Sequence, residues 1–164
     1  MGIFTRAKDS LVSAVARGDA MAAKTLIEHG ANVNDADSEG VPVLMIAALN
    51  SDTATMEVLI KKGANVNAVQ ENWTILMHMA LNNRAQPLEL LLRSGADPNR
   101  TDPPGTTALM IAALEGHDEV AEALIRGGAD LEARDHRGNT AMRNAEMLGK
   151  PSTKRLIQRA IRQR

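Results

Sequence analysis

Apolar and polar positions along this chain alternate in blocks that return at a fixed distance. Four blocks pass from a short polar lead into small and aliphatic residues: "GVPVLMIAA" from Gly40, "NWTILMHMA" from Asn72, "GTTALMIAA" from Gly105 and "GNTAMRNAE" from Gly138. Four others mark a glycine turn: "HGANVN" from His29, "KGANVN" from Lys62, "SGADPN" from Ser94 and "GGADLE" from Gly127, spaced by 33, 32 and 33 residues. Two registers that keep step define a repeat, and a repeat changes the meaning of every residue inside it.

Within one unit the pattern predicts two helices and a turn. Thr107 is placed to N-cap "ALMIAALEG", its hydroxyl accepting from an orphan backbone N–H, and Gly116 to stop that helix. A second helix, "DEVAEALIRG", begins with the three acids Asp118, Glu119 and Glu122, which suit the positive end of the helix dipole, and ends on Arg126 before Gly127 and Gly128. Val120, Ala123, Leu124 and Gly127 recur at helical intervals on one face, and the paired alanines Ala47–Ala48 and Ala112–Ala113 admit close approach of neighbouring helices. Neither helix buries its apolar face inside a single unit, so the units must stack.

The stretch "DPPGTTALMIAALEGHDEVAEALIRGGADLEA" from Asp102 to Ala133 resembles an ankyrin repeat. It follows that family's Asp-x-x-Gly-x-Thr-Pro-Leu-His-x-Ala-Ala-x-x-Gly-His pattern and its closing Leu-Leu-x-x-Gly-Ala-Asp-x-Asn, with Ala108 in place of Pro and Met110 in place of His. The resemblance implies an all-α ankyrin-repeat solenoid of five stacked helix-turn-helix units with short hairpin-like fingers. It divides the single domain, residues 1–164, into an N-terminal capping repeat (4–36), internal repeats (37–69, 70–101 and 102–134) and a C-terminal capping repeat (135–164). The first and last units depart most from the pattern, as caps should where one face meets water.

Composition agrees with packed helices. The chain has 164 residues, 44% of them apolar, nearly all Ala, Leu, Ile, Val and nine Met, with Phe4 and Trp73 the only aromatics; a sandwich or barrel would need more β-branched and aromatic residues. A formal charge of −1 makes the chain as a whole no polyelectrolyte partner for nucleic acid or membrane. With no cysteine, disulfides and thiolate metal sites are excluded. The opening "MGIFTRAKDSLVSAVARGD" is broken by Arg6, Lys8 and Asp9 before it could serve as a signal peptide, and Arg6 stands where a myristoylation signal wants Ser or Thr after Gly2. The expected compartment is the cytoplasm, or the periplasm if a leader had been removed.

Catalytic and metal chemistry finds no support. His29, His78, His117 and His136 occupy different slots of different units, with no i, i+4 ligand pair; His117 follows Gly116 as the family pattern has it and reads as structural. The glycines are turn and cap glycines, with no dinucleotide or Walker pattern, and no catalytic triad has a local signature. Asn34, Asn67 and Asn99 share a slot that resembles the one hydroxylated in some ankyrin proteins, but their first task is expected to be hydrogen-bonding their turn. The reading is therefore of a non-enzyme with no metal and no cofactor.

Scaffold residues are explained by packing, so function must lie where units differ. The resemblance implies a concave side made of fingertips and first-helix ends. On the fingertips the candidates are Glu39, Val41, Glu71, Trp73, Pro104 and Thr106; at the helix ends they are Leu49, Asn50, Leu81, Asn82, Leu114, Glu115 and Met147. Ala16, Leu49, Leu81, Leu114 and Met147 fill one slot and would stack into an apolar stripe, readable as an interface or as half-cover for the helix below. Trp73 sits before the Thr74 cap on a finger one residue shorter than the others. It is expected to stand exposed in the free protein as a binding anchor, against the alternative that it folds back to mend the shortened finger.

Charge is also uneven. The fourth unit is acidic, while the last carries Arg137, Arg143, Lys150, Lys154, Arg155, Arg159, Arg162 and Arg164 against Asp135 and Glu146. Solvating a cap explains the basic end best, and no aromatic residue interleaves with it for base stacking. The function expected is occupancy: a monomer that grips another folded protein as a stoichiometric inhibitor, masking or immunity-like protein, with no small-molecule substrate. The rival is an adaptor that bridges two proteins and uses the basic C-terminal cap as its second contact.

Overall fold

A computed structural model describes residues 10–163. Residues 4–9 of the first expected unit, with Phe4, and Arg164 at the other end lie outside the described residues. Ten helices follow one another in five pairs: α1 (Leu11–Ala16) and α2 (Ala20–Glu28), α3 (Val43–Leu49) and α4 (Thr53–Lys61), α5 (Ile75–Leu81) and α6 (Ala85–Arg93), α7 (Ala108–Glu115) and α8 (Asp118–Arg126), α9 (Ala141–Met147) and α10 (Pro151–Arg162). The only strands among the described residues are β1 (Val69–Gln70) and β2 (Trp73–Thr74), paired antiparallel.

The helices form two layers. Odd-numbered helices pack side by side in one row, even-numbered helices in the other, and each odd helix also packs on its even partner. An inner odd helix is therefore covered on several sides, which is why α7 is buried continuously from Ala108 to Ala113 instead of along one stripe. Even helices keep one face in water: α8 buries Val120, Ala121, Ala123 and Leu124, and the terminal α10 buries only Thr153 and Ile157.

Local chemistry sets the helix ends. Thr74, Thr107 and Thr140 each accept at the side-chain oxygen from the N–H three residues on, at 3.2–3.3 Å, and Asp19 and Asp52 do the same for α2 and α4. α8 starts at Asp118, so Glu119 joins it in the first turn while Glu122 falls in the second, away from the dipole end where it was expected. After each odd helix the chain passes through a left-handed residue. Gly18, Gly116 and Gly149 fill that slot in three units, but Ser51 (φ 56°) and Asn83 (φ 53°) fill it in the other two, where a Cβ is penalised.

Asn34, Asn67 and Asn99 do something other than close their own turns. The Asn34 side-chain oxygen accepts from the Asn65 N–H at 2.7 Å, that of Asn67 from Asp97 at 2.9 Å and that of Asn99 from Asp130 at 2.7 Å, each across to the next unit. The amide groups of Asn34 and Asn99 also donate to the carbonyls of Gly63 and Gly128. Turn closure falls instead to Asn32, Asn65, Asp97 and Asp130, whose side chains accept from the N–H two residues on.

Two stability predictions follow from these slots. Ser51→Gly should stabilise the protein by about 0.5–1 kcal/mol, and Asn83→Gly by less, since Asn tolerates the left-handed region better than Ser; urea denaturation of both variants checks the order. Asn99→Ala, which removes two bonds between units, should cost about 1–2 kcal/mol, and Asn99→Asp, which keeps only the acceptor, should fall between it and the parent.

Candidate functional site

Fingers are built on an aspartate. The Asp37 N–H donates to the Val41 carbonyl, the Gly40 N–H returns to the Asp37 carbonyl, and the Asp37 carboxylate accepts from the N–H groups of Glu39 and Val41. Asp102 and Asp135 repeat the two backbone bonds, and each carboxylate accepts from the N–H four residues on, that of Thr106 at 2.7 Å and that of Asn139 at 2.8 Å. These bonds, the Asn139 N–H foremost, hold the Asp135 carboxyl below its usual range. The His136 N–H donates to the Pro104 carbonyl, tying the last two fingers together.

The central finger lacks both the aspartate and the glycine. It is a two-residue hairpin in which Gln70 faces Trp73, and both loop residues, Glu71 (φ 50°) and Asn72 (φ 70°), are left-handed. That is the turn whose twist matches two antiparallel strands. One residue fewer gives a tighter connection, and Trp73 falls on its second strand, directly before the Thr74 cap.

Trp73 is consequently not an exposed anchor. It is half-buried, packs against the core, and meets the ring of His78 edge-on, with centroids 5.6 Å apart. His78 occupies the slot held by Ile46 and Ile111 in neighbouring units; its Nε2 is buried and has no hydrogen-bond partner. Burial pushes its pKa below the ordinary value, against the opposing pull of the Gln70 backbone and the Glu71 charge. His117 is a structural link, as expected: its Nδ1 lies 2.9 Å from the Ala80 carbonyl of the preceding unit.

The other candidates divide by exposure. Glu39, Glu71 and Pro104 are exposed at the fingertips, while Val41 and Thr106 are half-buried. Because the odd helices lie side by side, their last turns fall in one row. There Leu81 (42% exposed) and Met147 (64%) stand open, Leu49 and Leu114 are half-covered, and Asn50, Asn82 and Glu115 are exposed beside them. Leu148, the C-cap of α9, adds a further open apolar side chain. Asn50 donates its amide to the Val15 carbonyl and Asn82 to the His78 carbonyl, so both help close helix ends. Their tie to helix carbonyls lies beyond a one-dimensional pattern, since the carbonyl bonded by Asn50 belongs to another unit.

Among the described residues no three His, Asp or Glu side chains gather as metal ligands would, and no helix is long and apolar enough to cross a membrane. The family model described as Ankyrin repeats (3 copies) matches residues 11–102 and 76–162. The chain belongs to the ankyrin repeat family. A search of curated proteins finds no match. Ankyrin repeats generally bind other proteins and are typically non-enzymatic, which makes this ankyrin chain a protein–protein interaction module.

The burial of Trp73 and His78 changes what their variants should do. Trp73→Ala should destabilise the free protein by about 1–3 kcal/mol, part of the cost of truncating a fully buried aromatic, as urea denaturation will read. With the His78 pKa depressed in the folded state, the unfolded chain takes up that proton first. Stability should therefore be full above the ordinary histidine value of 6.5 and fall as pH drops below it. His78→Ile, which restores the residue of the neighbouring units, should remove that part of the slope when the two proteins are compared from pH 7.5 to about 5.

Proposed function

We propose that this ankyrin chain acts by occupancy, holding one folded partner against the row of odd-helix ends and the fingertips beside it. The observation that carries this reading is the run of open apolar side chains at Leu81, Met147 and Leu148, continued by the half-covered Leu49 and Leu114 and edged by Asn50, Asn82 and Glu115. An apolar centre with a polar rim is the anatomy of an interface. Trp73 is half-buried against the core, so the weight of binding in this reading shifts to Leu81 and Leu114. A single interface of standard size, about 800 Å² per partner, is enough for a stoichiometric inhibitor, masking protein or immunity-like protein.

Affinity capture from native extract, run in parallel with the parent and Leu81→Arg, tests the reading. The partner should be held by the parent and lost by Leu81→Arg, which sets an unpaired charge against the apolar centre. Calorimetry with the purified partner should then give one-to-one stoichiometry and a loss of about 2 kcal/mol or more for Leu81→Arg. A partner retained equally by both proteins removes the helix-end row from the interface, and two proteins held at once through that same row replace inhibition with bridging.

A further inference from the structure

We infer that the groove between α8 and α10, in the even layer and away from the helix-end row, is a second docking site that takes an acidic amphipathic helix of a partner protein. Its apolar floor is made by the half-buried Ile125, Leu156 and Ala160, and its cationic walls by Arg126, Arg155 and Arg159. Glu122 is the one acid along it.

The neighbouring groove differs from this one in its charge pairing. Between α6 and α8 an ion pair crosses the gap, Arg126 to Glu89 at 2.7 Å. The same helical positions one unit later are Glu122 on α8 and Arg159 on α10, and no ion pair joins them. The Thr153 hydroxyl donates to the Asp118 carboxylate between the N-terminal ends of the two helices, outside the groove lining. Beyond it, Arg126 is already paired with Glu89 and Lys154 with Glu146 at 2.5 Å, while Arg155, Arg159 and Arg162 on α10 have no carboxylate partner among the described residues.

α10 contains no acid at all, and it sets Arg155 against Arg159 at i, i+4 and Arg159 against Arg162 at i, i+3, arrangements that repel along a helix. Its dipole accounts for Arg159 and Arg162, which lie in the last turn, but not for Arg155. Solvation asks for charge, not for charge of one sign, and α8 beside it mixes both. Charge complementarity therefore selects an acidic occupant, and a groove between two helices with an aliphatic floor selects a helix with an apolar stripe. A nucleic acid would find no aromatic ring to stack on among the described residues that line the groove. A bilayer would find Ile157 buried and Leu156 and Ile161 half-buried along α10, with no exposed apolar face to enter it.

The test uses the full chain and a fluorescein-labelled synthetic helix of about four turns, with Leu on one face and Glu on the other, read by anisotropy. Binding to the parent is expected, weakening about tenfold or more in Arg155→Glu/Arg159→Glu and by less in Arg155→Gln/Arg159→Gln. Arg137→Glu, a charge reversal on an exposed fingertip outside the groove, and Leu81→Arg should both bind as the parent does. All four variants change exposed side chains, and circular dichroism melts verify that they fold. The inference is overturned if the reversal leaves affinity unchanged, or if an isomeric peptide with Lys for Glu binds equally. Loss of the peptide in Leu81→Arg would place it on the helix-end row and overturn the inference too. So would retention of phosphatidylserine vesicles or poly(U) RNA by a chain that does not bind the peptide.

Discussion

Everything in this molecule depends on contact between one repeat and the next. In the inner units a pair of seven- to nine-residue helices has too little interior to bury both of its apolar faces, so its stability is owed to its neighbours. That debt explains details that look unrelated. It permits the inner odd helix α7 to be apolar around its circumference, it places alanine where helices of adjacent units meet, and it gives Asn34, Asn67 and Asn99 their work. An asparagine side chain carries a donor and an acceptor on one planar group, so it can match a carbonyl and an N–H of the following unit at once. In the fourth unit the same slot holds Glu132, and in the unit that follows α10 runs on to Arg162 through the positions where the other units have their glycine turn.

The interruptions to the repeat cluster in its middle. Ser51 and Asn83 hold left-handed positions that glycine holds elsewhere, and Glu71 and Asn72 do so at the tip of the central finger. Each carries a conformational cost that the regular units avoid. Around the shortened finger the consequences are coupled. Losing one residue produces the two-residue hairpin, the hairpin turns Trp73 toward the helices, and the space at its edge is filled by the ring of His78 where other units have isoleucine. A buried imidazole nitrogen without a partner is the remaining cost of that repair.

What could be read from the sequence was whatever depends on neighbours in the chain. The period, the threonine caps at Thr74, Thr107 and Thr140, and the structural character of His117 follow from local spacing, and the ankyrin pattern carries the layered fold. Trp73 escaped that kind of reading because its environment is set by a turn geometry and by a side chain five residues on, and the shortened finger, read alone, favours an exposed anchor over a side chain folded back. The asparagine series was mistaken for turn closure for a related reason. A turn bond and an inter-unit bond call for the same residue type, and only the stacking distance decides between them. For the apolar slot, the pattern identified its members but not their exposure, which grades from half-covered at Leu49 and Leu114 to open at Leu81 and Met147.

The two layers of an ankyrin stack are unequal as surfaces, and the inequality has a physical origin. Odd helices meet solvent chiefly at their ends, so what they present is a row of single side chains, one per unit, whose spacing is fixed by the repeat. Recognition there is a matter of shape and apolar contact, and it changes little with salt. Even helices present whole faces, with grooves between them that differ in charge pairing, as Arg126–Glu89 is paired in one and Arg159 has no carboxylate partner among the described residues in the next. Recognition there is electrostatic, faster in encounter and weakened by salt. Because α8 and α10 rest on α7 and α9 through a packed core, neither layer has a second arrangement within easy reach. Coupling between two sites requires an element with two states, so occupants of the two layers should bind this scaffold independently, with each affinity unaffected by the other.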